Sequence, residues 1–572
     1  MRFLQLPRTI VCGVAAALAS QLALSQALEL EDGQATLILT NGSIYTVDGQ
    51  AEAMAIGAKG VILAVGASDL VSQFKGEGTE VRDLQGDTVL PGFHEMHVHP
   101  MMAGLRENAC KFAQGSSLQQ VLDKVAQCVE AAEPGEWITG GQWDAPTLGG
   151  IPHRELLDRV APNNPVILTD TSGHSDWVNT MALEQAGISR DTPDPPGGVI
   201  ERDSNGDPTG VTRENAQQLI ADLVPPPNLA QRKAAVRWSL DTMLAGGITS
   251  FVSATTGEAE AEAFAALADD GDLKQRVRLC LGGRREDPKD VESLIQRRQL
   301  YARERLSPDC VKLYLDGVPT DSHTGAMLEP YADIVEGRDD EASRKGILMY
   351  SDEDVKKVVT DFDVQGLTVK FHAAGDAAVR RGLDAIAAAR EANGFSGLLH
   401  NVGHCTFVSE EDLPRARAMG ATYEVSPYLW APSPINDSII AAVGPERIER
   451  VWPVRDMIDA GALVVPGSDW SVVPAVNPWI GVETLVTRET LGGGESFGKG
   501  QAITVDEALA MYTVNAARQM GHDDRVGRIA PGMIADLVVV NQDPHKVPAQ
   551  KLHETVVKAT IINGEIVYEA GP

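Results

Sequence analysis

The chain has 572 residues, too many for one simple core and enough for two or three domains of ~100–250 residues each. Its composition, 43% hydrophobic and 5% aromatic, is that of an ordinary globular protein, and the formal net charge of −31 argues against nucleic acid, which demands a basic face. Charge of this kind says nothing about fold.

The first residues, "MRFLQLPRTIVCGVAAALASQLALSQA", place Arg2 and Arg8 before an apolar run and end on Ser25-Gln26-Ala27, with small residues at the −3 and −1 positions. Residues 1–27 therefore read as a cleaved secretory signal. The apolar run is short of the ~20 residues that span a bilayer, so no stable membrane insertion is expected after cleavage. Val11 before Cys12 is a poor lipidation signal. The expected location is outside the cytoplasm, periplasmic or secreted. Five cysteines remain beyond the signal. Cys110 and Cys128 flank a polar, helix-like stretch and are expected to form a disulfide, with two buried free thiols as the alternative. Cys280, Cys310 and Cys405 sit in apolar runs that read as buried strands.

Next come short alternating strands, "ATLILTNGSIYTVDG", "AMAIGAKGVILAVGA" and "TEVRDLQGDTVLPG", broken by Asn-Gly, Lys-Gly and Gln-Gly turns. The far end repeats the texture in "GRIAPGMIADLVVVNQDP" and "VVKATIINGEIVYEAG". Neither half can bury a sheet face alone. Residues 28–90 and 520–572 are therefore paired into one small β-sandwich domain built from both termini.

Between them, over residues 91–519, apolar strand-like runs alternate with helical stretches, the pattern of parallel βα units in an α/β protein. The runs are "GFHEMHVH", "GITSFVSA", "VRLCLGG", "CVKLYLDG", "LTVKFHAAG", "LLHNVGHC", "ATYEVSP" and "LVVPGSD". That count predicts a (β/α)8 TIM barrel. The gap after the first run carries its own strand-like "PVILTDTSGH" and turn-rich "DPPGGVIERDSNGDPTG", and is read as an inserted subdomain at about residues 105–240.

Catalytic groups of such barrels sit at the C-terminal strand ends. Here those ends are polar: His97 and His99 on the first, Lys312 on the fourth, His372 on the fifth, His404 on the sixth and Asp469 on the eighth. The two-residue spacing of His97 and His99 turns both imidazoles to one side of an extended chain. Four histidines and an aspartate gathered at strand ends, in a chain with only 12 histidines, suit zinc or another borderline divalent ion. Period two puts Phe93 and Glu95 on the side of His97 and His99 and turns His94 away, so His94 is not counted as a ligand. His400 lies deeper in its strand and is read as a packed histidine.

The motifs "PGFHEMHVHP", "VKLYLDG", "HAAGDAAV", "GSDW" and "ITVDEALAMYTVNAARQMG" resemble the amidohydrolase superfamily. The insertion, with "SGHSDWVNTMAL", "PPGGVIERDSNGDPTGV" and "DGVPTDSHTGAMLEPYAD", is similar to amidohydrolase family 3, the branch of YtcJ-like proteins and N-substituted formamide deformylases. The resemblance implies a more buried metal at His97 and His99, a more exposed one at His372 and His404, and Lys312 carboxylated to a carbamate bridging both. An ion pair of Lys312 with Asp316 is the alternative, in which one metal suffices. The chain departs from the family pattern at Gly403, where relatives usually carry a glutamate that would orient the following histidine.

A bound divalent ion lowers the pKa of water toward neutrality. Asp469 is then expected to orient the water, take its proton and pass it to the departing nitrogen, or to serve only as a ligand. Trp143, His174, Asn179, Asp316, His323 and Tyr428 are expected around the substrate, with packing of the subdomain core as the competing role for Trp143. The expected activity is cleavage of a non-peptide C–N bond in an N-substituted amide or formamide. An esterase or lactonase on the same site and a non-catalytic binding barrel are the alternatives. A metal-free glycosidase needs paired carboxylates, which leaves the histidines unused. The expected partner is a small-molecule substrate, and a homodimer is left open.

Overall fold

The computed structural model describes residues 33–571, apart from 114, 144, 171–174, 196–197, 215, 283–290, 321–322, 333–342 and 430–433. Eight parallel strands follow one another around a single sheet: β1 (Phe93–Val98), β2 (Ile248–Thr256), β3 (Arg276–Leu281), β4 (Leu306–Tyr314), β5 (Thr368–Ala373), β6 (His400–His404), β7 (Ala421–Val425) and β8 (Leu463–Pro466). Each strand pairs in register with the next, as in Val311 opposite Val369 and Val402 opposite Tyr423. Burial on both faces explains why these strands read as near-continuous apolar runs. The ring closes where residues just past β8 return to β1, through an N–H of Asp469 to the carbonyl of His97 at 2.8 Å and an N–H of His99 to the carbonyl of Trp470 at 2.5 Å. The expected (β/α)8 barrel is therefore the observed fold.

The helices that cover it follow from sequence periodicity. In Asp376–Asn393 the buried residues Val379, Gly382, Leu383, Ile386 and Ala389 recur at three- and four-residue steps, one face of a helix laid on the sheet. Gly394, at φ 78°, ends it in a backbone conformation that costs glycine little. In Asp352–Val364 the Ser351 side chain accepts the N–H of Asp354, and three acids occupy the first turn, where the helix dipole favours them.

Two further sheets make the β-sandwich. One has four strands from residues 35–83; the other has six, in the order 565–569, 557–562, 537–540, 88–91, 43–46 and 49–51. Leu37, Leu39, Met54 and Ile56 of the first sheet share a buried cluster with Ile44, Val89, Leu537, Val539 and Ile561 of the second. Residues from both ends of the chain thus fill one core.

Residues 101–239 form a separate compact unit around their own six-stranded sheet. Its core includes Phe112, Val121, Val125, Trp143, Leu168 and Trp177. Cys110 and Cys128 are joined by a disulfide within it. A second disulfide, unforeseen in the sequence, links Cys280 of β3 to Cys310 of β4. These two residues face each other in the register of adjacent strands. They lie among Met96, Val252, Val465 and Met520. Cys405 is buried and free.

Candidate metal centre

The contacts that close the barrel also assemble its chemistry. With β1 and the Asp469 segment tied backbone to backbone, Asp469 Oδ1 stands 3.2 Å from His99 Nε2 and 3.6 Å from His97 Nε2. Ligand atoms of the three residues all lie within 4.8 Å of one another. Two imidazoles and a carboxylate at that spacing fit one small divalent cation, which leaves a coordination position for water or substrate. Asp469 takes φ 62° and His404 φ 74°, left-handed values that non-glycine residues adopt at a cost of about 1–3 kcal/mol each. The Asp469 conformation is held by its N–H to His97 and by its carbonyl, which accepts from the N–H of Val472 at 2.7 Å.

The remaining histidines stand alongside. The His404 ring lies 4.8 Å from that of His97 and 4.4 Å from that of His372, centroid to centroid. His372 Nδ1 is 3.0 Å from Asp316 Oδ1, which leaves Nε2 as the nitrogen available to a ligand. Lys312 is buried on β4 with its amino group 5.2 Å from the Tyr314 ring centre. Tyr314 in turn stacks on His372.

Burial pushes His97 and His404 well below the usual histidine range. Nearby Lys312 and Lys370 add to the effect on both, and His372 adds to that on His404. Both imidazoles are therefore neutral, the form that donates a lone pair to a cation. The 2.5 Å contact of His97 Nδ1 with Glu424 Oε1 is accordingly an N–H donated to a carboxylate, which points Nε2 at the metal position.

Glu424 and Lys370 are functional candidates that sequence reasoning missed. Both are buried, Glu424 on β7 and Lys370 on β5. Lys370 Nζ donates to Glu424, to the Met96 carbonyl at 2.9 Å and to Asn401 Oδ1 at 2.9 Å, which uses all three of its protons. Burial raises Glu424 and lowers Lys370, and their mutual attraction opposes both shifts. The missing glutamate at Gly403 is thereby accounted for. A Cβ there would stand 2.8 Å from the Phe371 carbonyl and 3.1 Å from Glu424 Oε1, so glycine at β6 makes room for a carboxylate arriving from β7.

Several expected substrate contacts have other work. Trp143 takes the packing role left open for it: its Nε1 donates to the Leu168 carbonyl at 2.8 Å and its ring packs edge-on against Trp177 in the core of the 101–239 unit. Asn179 caps a helix, its Oδ1 accepting from Ala182. Asp316 is buried. Besides His372, it accepts the N–H groups of Ala326, Ala374 and Gly375 at 2.8–3.0 Å, so its oxygens fix the His372 ring. His323 is buried edge-on against Tyr331, 4.5 Å between centroids. The Tyr428 hydroxyl is buried and turned toward Tyr512 and Glu95, so only its ring can touch a ligand. His174 lies outside the described residues. His94 bonds the Gly92 carbonyl, and His400 accepts from Val369 N–H while Nε2 meets Asp363. Both stand apart from the ligand cluster.

A parallel barrel with one histidine near the end of its first strand, a second just past it and an aspartate beyond its last suits a metal-dependent hydrolase. The chain belongs to the amidohydrolase family, whose model matches residues 80–568. It is 28% identical to YtcJ of Bacillus subtilis over 92% of this chain and 98% of that one. It is also 28% identical to N-substituted formamide deformylase of Arthrobacter pascens, over 93% of this chain and 98% of that one. Among solved structures, an uncharacterized metal-dependent hydrolase from Pyrococcus furiosus superposes with a TM-score of 0.72 at 24% identity, covering 89% of this chain and all of the other. Among the described residues, no helix is long and apolar enough to cross a membrane.

Proposed function

We propose that the protein hydrolyses a non-peptide C–N bond in a small N-substituted amide or formamide, with Asp469 carrying the proton. The carrying observation is the convergence of His97 Nε2, His99 Nε2 and Asp469 Oδ1 within 4.8 Å. His97 and His99 would hold a divalent ion, with zinc the best match to the donors and Glu424 setting the orientation of His97, and that ion would supply acidification of water near neutral pH and polarisation of a carbonyl oxygen. His372, His404 and Lys312, the last as a carbamate, would hold a second. Asp469 orients the attacking water and takes its proton. The water oxygen bonds to the carbonyl carbon, the C–N bond breaks, and Asp469 returns the proton to the leaving nitrogen, so a formamide yields formate and an amine. Transfer of this kind contributes ~100–10,000-fold.

The likeness to an N-substituted formamide deformylase over nearly the full length of both chains supports the choice of bond. Export is proposed from the leader-like first residues, and the disulfides Cys110–Cys128 and Cys280–Cys310 support it, since such bonds persist in oxidising compartments. The test is turnover by purified, zinc-loaded protein of N-substituted formamides and acylated amines, side by side with esters and lactones. Release of amine that is lost on chelation and in Asp469→Asn is the expected result. Turnover of esters or lactones alone would replace the C–N reading.

A further inference from the structure

Next to His97 on β1 lies a group of buried polar atoms that the hydrolytic reading does not use. Glu95 is fully buried, and its Oε1 accepts two backbone protons, from His97 N–H at 3.1 Å and from Ser468 N–H at 2.8 Å. The first belongs to a residue on β1 that meets the metal; the second belongs to the residue immediately before Asp469. One oxygen thus spans the seam at which the barrel closes.

The other oxygen of Glu95 has no hydrogen-bond partner among the described residues, and the buried hydroxyls of Tyr428 and Tyr512 have only each other. Both tyrosines lie within electrostatic reach of Glu95, and their hydroxyls face one another. Tyr512 sits in the π-helical turn Met511–Asn515, a local widening of the helix often found at functional sites. Its hydroxyl passes so close to Gly481 that a Cβ there would stand 2.0 Å away. A buried polar atom is expensive when unbonded, so the free Glu95 oxygen is kept at a cost.

We infer that Glu95 is a positioning residue for the metal centre, tying the His97 segment to the Ser468–Asp469 segment through its Oε1. The inference rests on reading His97, His99 and Asp469 as ligands. Loss of the tie lets the two strands that carry the ligands drift apart, which weakens the site without removing a donor.

The test is Co2+ binding by the full chain, followed by equilibrium titration and by the visible d–d spectrum, neither of which needs substrate. Glu95→Ala is expected to bind Co2+ about 10- to 100-fold more weakly, with an altered spectrum. Glu95→Gln keeps an acceptor oxygen and is expected within about threefold of the wild type. Glu95→Asp, which draws the acceptor back by one methylene, is expected to lose about 3- to 10-fold and decides the matter if Glu95→Ala does not fold. Wild-type affinity in Glu95→Ala, or in Glu95→Asp when only that variant folds, overturns the inference, as does equal loss in the Gln and Ala variants. If the wild type binds no Co2+, or His97→Ala binds it as well as the wild type, the ligand reading fails instead.

Discussion

Replacing Glu424 by glutamine tests the buried network behind His97. In the native protein the Glu424 carboxylate meets both Lys370 and His97, and no part of the Lys370–Glu424 pair reaches solvent to any useful extent. Removing one charge leaves the Lys370 ammonium with only the Met96 carbonyl and Asn401 Oδ1, both neutral. Breaking a buried pair in this way costs about 3–5 kcal/mol. Adding Lys370→Met removes the stranded charge, so Glu424→Gln/Lys370→Met is expected to regain at least half of that loss. Zinc affinity behaves differently. An amide oxygen is a poorer acceptor for His97 Nδ1 than a carboxylate, and the loss, about 10-fold, is expected in the single and the double variant alike. Stability is to be read from urea unfolding of metal-free protein, so that metal binding does not enter, and affinity from competition with a chromophoric chelator. A single variant within 1 kcal/mol of the wild type, or a double no more stable than the single, would refute the reasoning.

Asp469→Asn should lower the turnover of any amide substrate by about 100- to 10,000-fold in steady-state assays, and near-normal turnover would remove Asp469 as proton carrier. His522 is held down to about 4 by burial, with Arg278, Arg525 and Arg276 adding to it, and His94 is held down to about 3 by burial, with His522 adding to it. Both bind protons more readily when unfolded, so stability is full above about pH 6.5 and falls as pH drops toward 4. His522→Gln should flatten that decline by on the order of 3 kcal/mol, and an unchanged slope between pH 7 and 4 would contradict the assignment. Alkylation of the denatured, unreduced protein should modify Cys405 alone among the cysteines past residue 33, and labelling of Cys280 or Cys310 would exclude their disulfide. Gly403→Ala should weaken zinc binding by about 10-fold, because the added methyl crowds Glu424, and wild-type affinity would show that the strand can yield.

The barrel was readable because buried parallel strands announce themselves as apolar runs, and a histidine or acid at the end of such a run has little structural reason to be there. The same signal was present for Lys370 in "LTVKFHAAG" and Glu424 in "ATYEVSP", single charges inside buried strands. What sequence lacks is the pairing: Glu424 meets His97 across 327 residues of chain and Lys370 across 54. Cys280 and Cys310 stayed hidden for the same reason, since only the register of β3 against β4 sets them face to face. Trp143 was ambiguous from composition, because an aromatic wall of a pocket and an aromatic core look alike. Asp316 was placed at the right end of its strand, but its carboxylate is spent on His372 and three backbone amides.

The shared terminal sheet carries a lesson for biosynthesis. The strand at 88–91 is flanked by 43–46 on one side and by 537–540 on the other. As the chain leaves the ribosome, the early half of that sheet must wait with one edge unsatisfied until more than four hundred further residues have been made. Exposed edges of this kind recruit other chains. Ribosomal stalling or a nonsense codon between residues 91 and 537 would therefore yield a sticky fragment rather than a shorter enzyme, and any fusion partner is better appended beyond the last strand than inserted into it.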